Sequence, residues 1–267
     1  MEKTKIKTLQ DLLRESANEY GDRVFIREKN GKEIAEKTFK RLYEDSCRLA
    51  GYICSEYSDV IHTAVIGNSG YAWLVSYFGT VCGGNACVPL DAQLPCNEIC
   101  DLLNRADVSV FMYDKKYESM TDEIRQKCPN VKEFISFEND LSRILEENDP
   151  VELDEVSPGA LASISYTSGT TGKSKGVMLL HRNLIDNAMC QDNESTADDV
   201  VLSILPIHHI YCFTCDILCS LRYGNQLCIN DSMMRIAQNL KLFRPTIIMV
   251  VPMIAETIYK QIKAVSQ

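Results

Sequence analysis

The sequence predicts an α/β fold in which layered parallel or mixed sheets are flanked by helices. Short apolar runs alternate with amphipathic stretches of helical spacing along most of the chain, which is the pattern of successive βαβ units. Hydrophobic residues make up 45% and charged residues 24% of the 267 residues, as in an ordinary globular protein. This length suits one large unit or two smaller lobes.

The first half of the chain shows the alternation clearly. Apolar residues recur at helical spacing from Phe39 to Cys54, and Thr38 is placed to cap that helix. Strands are predicted at 63–66, 86–90, 108–113 and 133–137, and helices at 71–82, 97–105 and 118–128. The uncharged stretch 62–90 contains glycines, asparagines and a proline, so it favours a buried strand–helix–strand over a membrane span, which needs about 20 apolar residues.

The second half begins with an acidic loop at 148–158 and repeats the alternation. Strands are predicted at 160–166, 177–180, 200–205, 226–229 and 246–251. Helices are predicted after His209, after Asp231 and from Met253 onward.

Charge and cysteine content restrict the function. Lysine and arginine total 28 against 37 acidic residues, a net charge of −9, and no basic stripe is present, so nucleic acid is not expected as a partner. The first ten residues lack the apolar region of a signal peptide, and we expect a cytoplasmic protein with reduced thiols. Most of the twelve cysteines, including Cys54, Cys82, Cys87 and Cys228, are expected to lie in apolar surroundings.

The most informative segment is 167–176, which contains no apolar residue. Its three glycines allow close backbone approach to a ligand, and its hydroxyls and lysines add donors and charge. This composition suits a polyphosphate. The spacing of a P-loop, G-x-x-x-x-G-K-[ST], fails because Thr167 stands where its first glycine belongs, and an apolar strand rather than a helix is expected to follow. A polar hairpin without a ligand is the alternative.

The run Tyr-Thr-Ser-Gly-Thr-Thr-Gly-Lys-Ser-Lys-Gly-Val at 166–177 resembles the phosphate-binding motif of adenylate-forming enzymes, the superfamily of acyl-CoA synthetases, peptide-synthetase adenylation domains and luciferases. One position departs, since Ser174 replaces the usual proline. The segment Leu-Pro-Ile-His-His at 205–209 resembles the Leu-Pro-x-x-His segment that lines the carboxylate site, with His209 as the matching histidine. Val251-Pro252 with Glu256 and Tyr259 is similar to long-chain acyl-CoA synthetases.

The resemblance implies a fold and a reaction. A carboxylate would attack the α-phosphate of ATP to give an acyl-adenylate and pyrophosphate, and coenzyme A would then displace AMP. The implied catalytic residues are His209 and Lys175, and Thr167 is the implied contact to Mg²⁺. The implied nucleotide-binding residues are Thr167, Ser168, Gly169, Thr170, Thr171, Gly172, Lys173 and Lys175.

Other motifs of this superfamily have no match here, namely Tyr-Gly-x-Thr-Glu for the metal, Thr-Gly-Asp for the ribose and the domain with the catalytic lysine. We therefore expect an N-terminal fragment that is inactive alone. Residues 58–190 would form one α/β lobe, and residues 1–57 with 191–267 part of a second. Apolar surface exposed by truncation would allow a dimer.

Three alternatives stay open for the sequence. The acid is expected to be a long-chain fatty acid, whereas an adenylation domain for amino or aryl acids is the competing enzyme. A non-catalytic nucleotide-binding module is the third possibility.

A zinc site is suggested by Cys212, Cys215 and Cys219 with the neighbouring histidines, but helical spacing favours a core position for these thiols.

Overall fold

The computed structural model describes residues 5–167, 174–191 and 194–265. The strands are β1 (Val24–Asn30), β2 (Glu33–Thr38), β3 (His62–Ile66), β4 (Ala86–Pro89), β5 (Val108–Tyr113), β6 (Glu133–Ser136), β7 (Leu161–Thr167), β8 (Lys175–Leu180), β9 (Val200–Ser203) and β10 (Gln226–Ile229). The helices are α1 (Leu9–Tyr20), α2 (Phe39–Glu56), α3 (Tyr71–Cys82), α4 (Cys96–Arg105), α5 (Thr121–Lys127), α6 (Ser142–Glu147), α7 (His181–Cys190), α8 (Ile210–Cys212), α9 (Cys219–Tyr223), α10 (Ile236–Phe243) and α11 (Pro252–Val265).

The strands form two mixed sheets, which confirms the predicted fold class. The larger has the order β6-β5-β3-β4-β7-β8 and is parallel except for β8, which runs antiparallel to β7. Nearly every residue of α3 is buried, so β3, α3 and β4 form the strand–helix–strand predicted for 62–90. In the described part of the chain, no helix is long and apolar enough to cross a membrane.

The smaller sheet has the order β2-β1-β10-β9, with β2 antiparallel to β1 and the other pairs parallel. The sequence interpretation missed the β1–β2 hairpin, whose tight turn contains Gly31 at a φ of +63°. The Asn30-Gly31 dipeptide is a strong hairpin signal that was available in the sequence. The sequence interpretation also missed α1, where Thr8 accepts a hydrogen bond from the Asp11 N–H in a capping box.

Several predicted elements are confirmed and one is wrong. Thr38 caps α2 by accepting from the Arg41 N–H at 3.0 Å. Residues 246–251 do not form the predicted strand, because within the described part of the chain they make a single isolated β-bridge, between Ile247 and Val201. Their apolar, β-branched composition favours a strand. However, the backbone hydrogen bonds between this segment and β9 join Thr246 and Ile247 to residues 200–202 of β9.

The division of the chain into lobes stays a prediction. Strands of the larger sheet come from residues 62–180, whereas those of the smaller sheet come from 24–38 and 200–229. Contacts made by α3 help to join the sheets. Glu28 of β1 accepts from the Tyr71 N–H at the start of α3, at 2.9 Å, and the ring of Phe213 lies 4.3 Å from that of Tyr77 on α3, centroid to centroid.

Thiols behave largely as expected, with one correction. All twelve cysteines are free, and Cys82, Cys87 and Cys228 are buried. Cys54 is exposed, contrary to the prediction, because it lies near the C-terminal end of α2. Its Sγ is 3.6 Å from the Gly83 carbonyl oxygen.

Candidate functional site

A cleft of about 470 Å³ opens where the carboxyl ends of four parallel strands meet. The segments that follow β3 and β4 in the larger sheet form one wall, and those that follow β9 and β10 in the smaller sheet form the other. Its polar lining includes Asn68, Asp91, His208, Asn230 and Asp231. Ligands of open α/β sheets bind outside the carboxyl ends of the strands, so this edge is the expected place for a site.

His208 faces the cleft. Its Nε2 lies 3.8 Å from Oδ2 of Asp91, and its side chain is 21% exposed. Burial lowers the pKa of the imidazole, although the Asp91 carboxylate acts in the opposite direction. The neutral form of the ring is therefore favoured.

His209, the residue chosen from the sequence, has a different environment. It is exposed, and its Nδ1 accepts from the N–H of Tyr211 at 3.2 Å, which makes it the N-cap of α8. The backbone turns between the two histidines, so one caps the helix and the other lines the cleft. A role for His209 beside a carboxylate stays a prediction.

A small pit lies beneath His208. Trp73, Ser163 and Phe213 line it, and it has no room for a water molecule in this conformation. Trp73 Nε1 and Ser163 Oγ are buried there and have no hydrogen-bond partner among the described residues. Since side chains alternate along a strand, Ser163, Ser165 and Thr167 of β7 share one face, and this row of hydroxyls runs from the pit toward the loop.

The glycine-rich loop joins β7 to β8. Thr167 and Lys175 are directly paired at its two ends, so their side chains project from the same face of the sheet. Ser168, Gly169, Thr170, Thr171, Gly172 and Lys173 lie outside the described residues. Strand β8 follows the loop, as the sequence predicts and in contrast to a P-loop, which leads into a helix.

A buried carboxyl group lies behind the cleft. Asp216 Oδ2 accepts from Ser203 Oγ at 2.8 Å, and its Oδ1 has no partner among the described residues. Burial raises the pKa of Asp216 to about 7. The Sγ of Cys212 lies 3.6 Å from the same carboxylate oxygen. In the described ranges, no group of three or more His, Cys, Asp or Glu side chains could hold a metal.

A slightly larger cavity, about 520 Å³, opens at the opposite, amino edge of the larger sheet. The ends of α2 and α3 and the acidic loop 151–157 line it, and Glu152, Asp154 and Glu155 contribute carboxylates. These charges repel a polyphosphate, so size alone does not make this cavity the nucleotide site.

Sequence reasoning passed over several residues of the cleft. Asp91 directly follows the predicted strand 86–90, and His208 precedes the chosen His209. Trp73 and Ser163 belong to apolar runs that predict core positions. No local pattern distinguishes them, because their contacts depend on how the two sheets pack.

Comparisons with known proteins agree with this architecture. The model of the family described as AMP-binding enzyme matches residues 13–266. A long-chain-fatty-acid–CoA ligase of Xenopus laevis is 27% identical over 295 residues, which cover 97% of this chain and 39% of the relative. The chain thus spans less than half the length of the curated relatives that it matches.

Solved structures share the fold. A fatty acyl CoA synthetase of Mycobacterium tuberculosis superposes with a TM-score of 0.84 at 19% identity, covering 95% of this chain and 51% of that one. The complex of VinN with L-aspartate superposes with a TM-score of 0.84 at 19% identity, covering 96% and 65%. With a family model that matches nearly its whole length, this chain belongs to the family of AMP-binding enzymes.

Proposed function

We propose that the protein uses ATP to activate a carboxylic acid as an acyl-adenylate, before coenzyme A takes up the acyl group as a thioester. The observation that carries the proposal is the pairing of Thr167 with Lys175 at the mouth of a loop rich in glycine and hydroxyl groups. Thr167 ends β7, whose carboxyl end lies at the same sheet edge as the His208 cleft, so both substrates would meet there.

In the first step, a carboxylate oxygen attacks the α-phosphorus while the bond to pyrophosphate breaks. The N–H and O–H groups of residues 167–172 would hold the β- and γ-phosphates, and the ammonium groups of Lys173 and Lys175 would offset the charge of the leaving pyrophosphate. Positioning and charge neutralisation supply most of the catalysis in such a transfer.

The acid would enter through the cleft. Because the His208 imidazole is neutral there, it adds no net charge and can orient a carboxylate through a ring N–H. His209 at the start of α8 would lie beside the incoming acid, as the family motif implies. In the second step, the thiolate sulfur of coenzyme A attacks the acyl carbon and AMP leaves.

Magnesium fits only in part. Mg²⁺ in nucleotide sites is held by one or two protein oxygens together with phosphate oxygens and water. The Thr167 hydroxyl would supply one protein oxygen, and the described residues contain no cluster of three or more ligands. Thr167 would therefore supply one of the contacts to Mg²⁺.

For the acid, we propose a long-chain fatty acid, with amino or aryl acids as the alternative. The support is the similarity to the Xenopus laevis ligase, whose substrate class its name states. The VinN complex shows that the same fold accompanies an amino acid ligand, so the fold does not decide between the two classes. A panel of fatty, aryl and amino acids in an acid-dependent ATP–pyrophosphate exchange assay of the full-length protein separates them.

Calorimetric titration of the chain with Mg·ATP tests the nucleotide site. Lys175→Ala should weaken binding about 10-fold or more, because a charge-assisted contact contributes roughly 1.5–3 kcal/mol. Lys127→Ala is the matched control, since Lys127 is an exposed lysine at the C-terminal end of α5 and pairs with Glu123. Equal affinity of the parent and both variants would refute the assignment of the loop.

Exchange assays with His209→Ala and His208→Ala test the two histidines. In the full-length protein, His209→Ala should lower acid-dependent pyrophosphate exchange more than it lowers the melting temperature, and His208→Ala should have the milder effect on exchange. If His209→Ala retains pyrophosphate exchange but loses much of its stability, the role of His209 is limited to capping α8.

The 267 residues by themselves should bind ATP without completing the reaction, because no matched residue holds the ribose or closes over the α-phosphate. Robust acid-dependent exchange by the purified chain would contradict this.

We also propose a dimer through apolar surface such as Met234 and Tyr259, which are 88% and 65% exposed. Light scattering across a concentration series gives the oligomeric state.

A further inference from the structure

Arg105, in the last turn of α4, contacts both ends of the glycine-rich loop. Its Nη2 donates to the carbonyl oxygen of Ser174 at 2.7 Å, just before β8 begins. Its guanidinium lies over the ring of Tyr166, 5.3 Å from the centroid, just before β7 ends. One side chain therefore bridges the two strands at the point where the loop leaves them.

The Tyr166 ring extends this contact across the hairpin. Tyr166 and Gly176 are cross-strand partners, and a Cβ at Gly176 would lie 3.3 Å from Tyr166 Cε1. The Tyr166 ring therefore lies close to both the guanidinium and the bare glycine backbone. A side chain at position 176 would push the ring outward and disturb the cation–π contact.

Helix α4 holds Arg105 in place. Its Nη1 lies 3.2 Å from Oδ2 of Asp101, one helical turn earlier. The Tyr166 hydroxyl reaches the Leu102 carbonyl at 3.5 Å, which adds a second link between α4 and β7. Because α4 packs on the larger sheet through buried side chains such as Leu103, the bridge is anchored in the core.

We propose that Arg105 is a positioning residue that keeps the two ends of the phosphate loop at the spacing required to bind a polyphosphate. This inference rests on the proposed function, since it takes the loop as the nucleotide site. Backbone N–H groups bind phosphate only when the loop holds them in a converging arrangement. A looser hairpin base lowers the fraction of molecules in that arrangement and weakens binding in proportion.

The test compares Arg105→Ala, Arg105→Lys and Arg125→Ala with the parent chain. Arg125 is the matched control, because its guanidinium lies 3.8 Å from the centroid of Phe134 at the other end of the same sheet. Two quantities are measured, the dissociation constants for Mg·ATP and pyrophosphate by calorimetry, and amide hydrogen exchange across residues 166–176 without ligand.

Arg105→Ala should weaken pyrophosphate binding about 10-fold and speed exchange in 166–176 to a similar degree, because it removes a charged hydrogen bond and a cation–π contact. Arg105→Lys retains the charge and one donor, so it should recover most of the affinity. Arg125→Ala should leave both quantities unchanged.

Unchanged affinity and exchange in Arg105→Ala would overturn the inference, and so would an equal loss in Arg125→Ala, which would indicate a general effect of charge. If the parent itself binds neither ATP nor pyrophosphate, the proposed function fails. The exchange data then still decide whether Arg105 holds the loop ends, so the two failures are distinguishable.

Discussion

Two segments meet at the carboxyl edge of the sheets, and they differ in how they are held. The loop arm, residues 161–180, is a hairpin at the edge of the larger sheet, and its Val177 and Met178 are exposed. The histidine arm, residues 204–223, is continuous helix after position 209, with Phe213 and Ile217 in the core. The proposed phosphate-binding groups thus lie on an edge hairpin, whereas the groups proposed to line the acid side are fixed by packing.

A buried titratable group belongs to the histidine arm and another follows the loop arm, and their pKa values shift in opposite directions. On the histidine arm, burial raises the pKa of Asp216 to about 7. Directly after the loop arm, burial lowers the pKa of His181 to about 4, and its Nδ1 accepts from the Leu9 N–H at 3.2 Å. Both groups prefer to be neutral in the folded protein, so their effects on stability have opposite signs with pH.

The largest expected effect concerns packing of the histidine arm. Phe213→Ala should lower the free energy of unfolding by about 3–5 kcal/mol, because its ring contacts Tyr77 and Trp73 and leaves a cavity when removed. Met178→Ala on the loop arm should stay within about 0.5 kcal/mol. Urea unfolding of both variants measures the contrast, and similar losses would show that the two arms are held alike.

The next effect concerns Asp216 and pH. Between about pH 4 and 7 the unfolded carboxyl has lost its proton and the folded one retains it. The Asp216 contribution to stability should therefore fall by about 1.4 kcal/mol per pH unit in this window as pH rises. Asp216→Asn removes this contribution, so the difference between variant and parent should grow with pH. A constant difference in unfolding free energy from pH 4 to 7 would contradict burial of a protonated carboxyl.

The opposite effect is expected for His181. Between about pH 4 and 6.5 the unfolded imidazole binds a proton that the folded one excludes, so its contribution is lost as pH falls. His181→Asn retains an acceptor for the Leu9 N–H and removes this contribution, so the stability of the variant should fall as pH rises. In the parent the two contributions nearly cancel over this range. A parent profile that is flat while both variants slope, in opposite directions, would confirm the pairing.

The loop arm was largely predictable from sequence, since its evidence is local. Three glycines and a run of hydroxyl residues between two apolar segments predict a phosphate-binding turn between strands, and Lys175–Leu180 is indeed a strand. The β1–β2 hairpin was predictable too, because Asn30-Gly31 favours a tight turn between two strands.

The histidine arm was not predictable in the same way. His208 and His209 are adjacent, and only the turn before α8 decides which one faces the cleft. Burial of Asp216 and the contact between Arg105 and Ser174 depend on packing between segments far apart in sequence. A sequence pattern does not report contacts between distant segments, so the roles of these residues could be recognised only in the folded chain.

The most direct test of the central claim is a crystal structure of the chain with ATP or pyrophosphate. The account predicts phosphate density against the loop 167–176, within hydrogen-bond distance of the Thr167 hydroxyl and the Lys175 ammonium group. Density in the cavity lined by Glu152, Asp154 and Glu155, with the loop empty at saturating ligand, would contradict it.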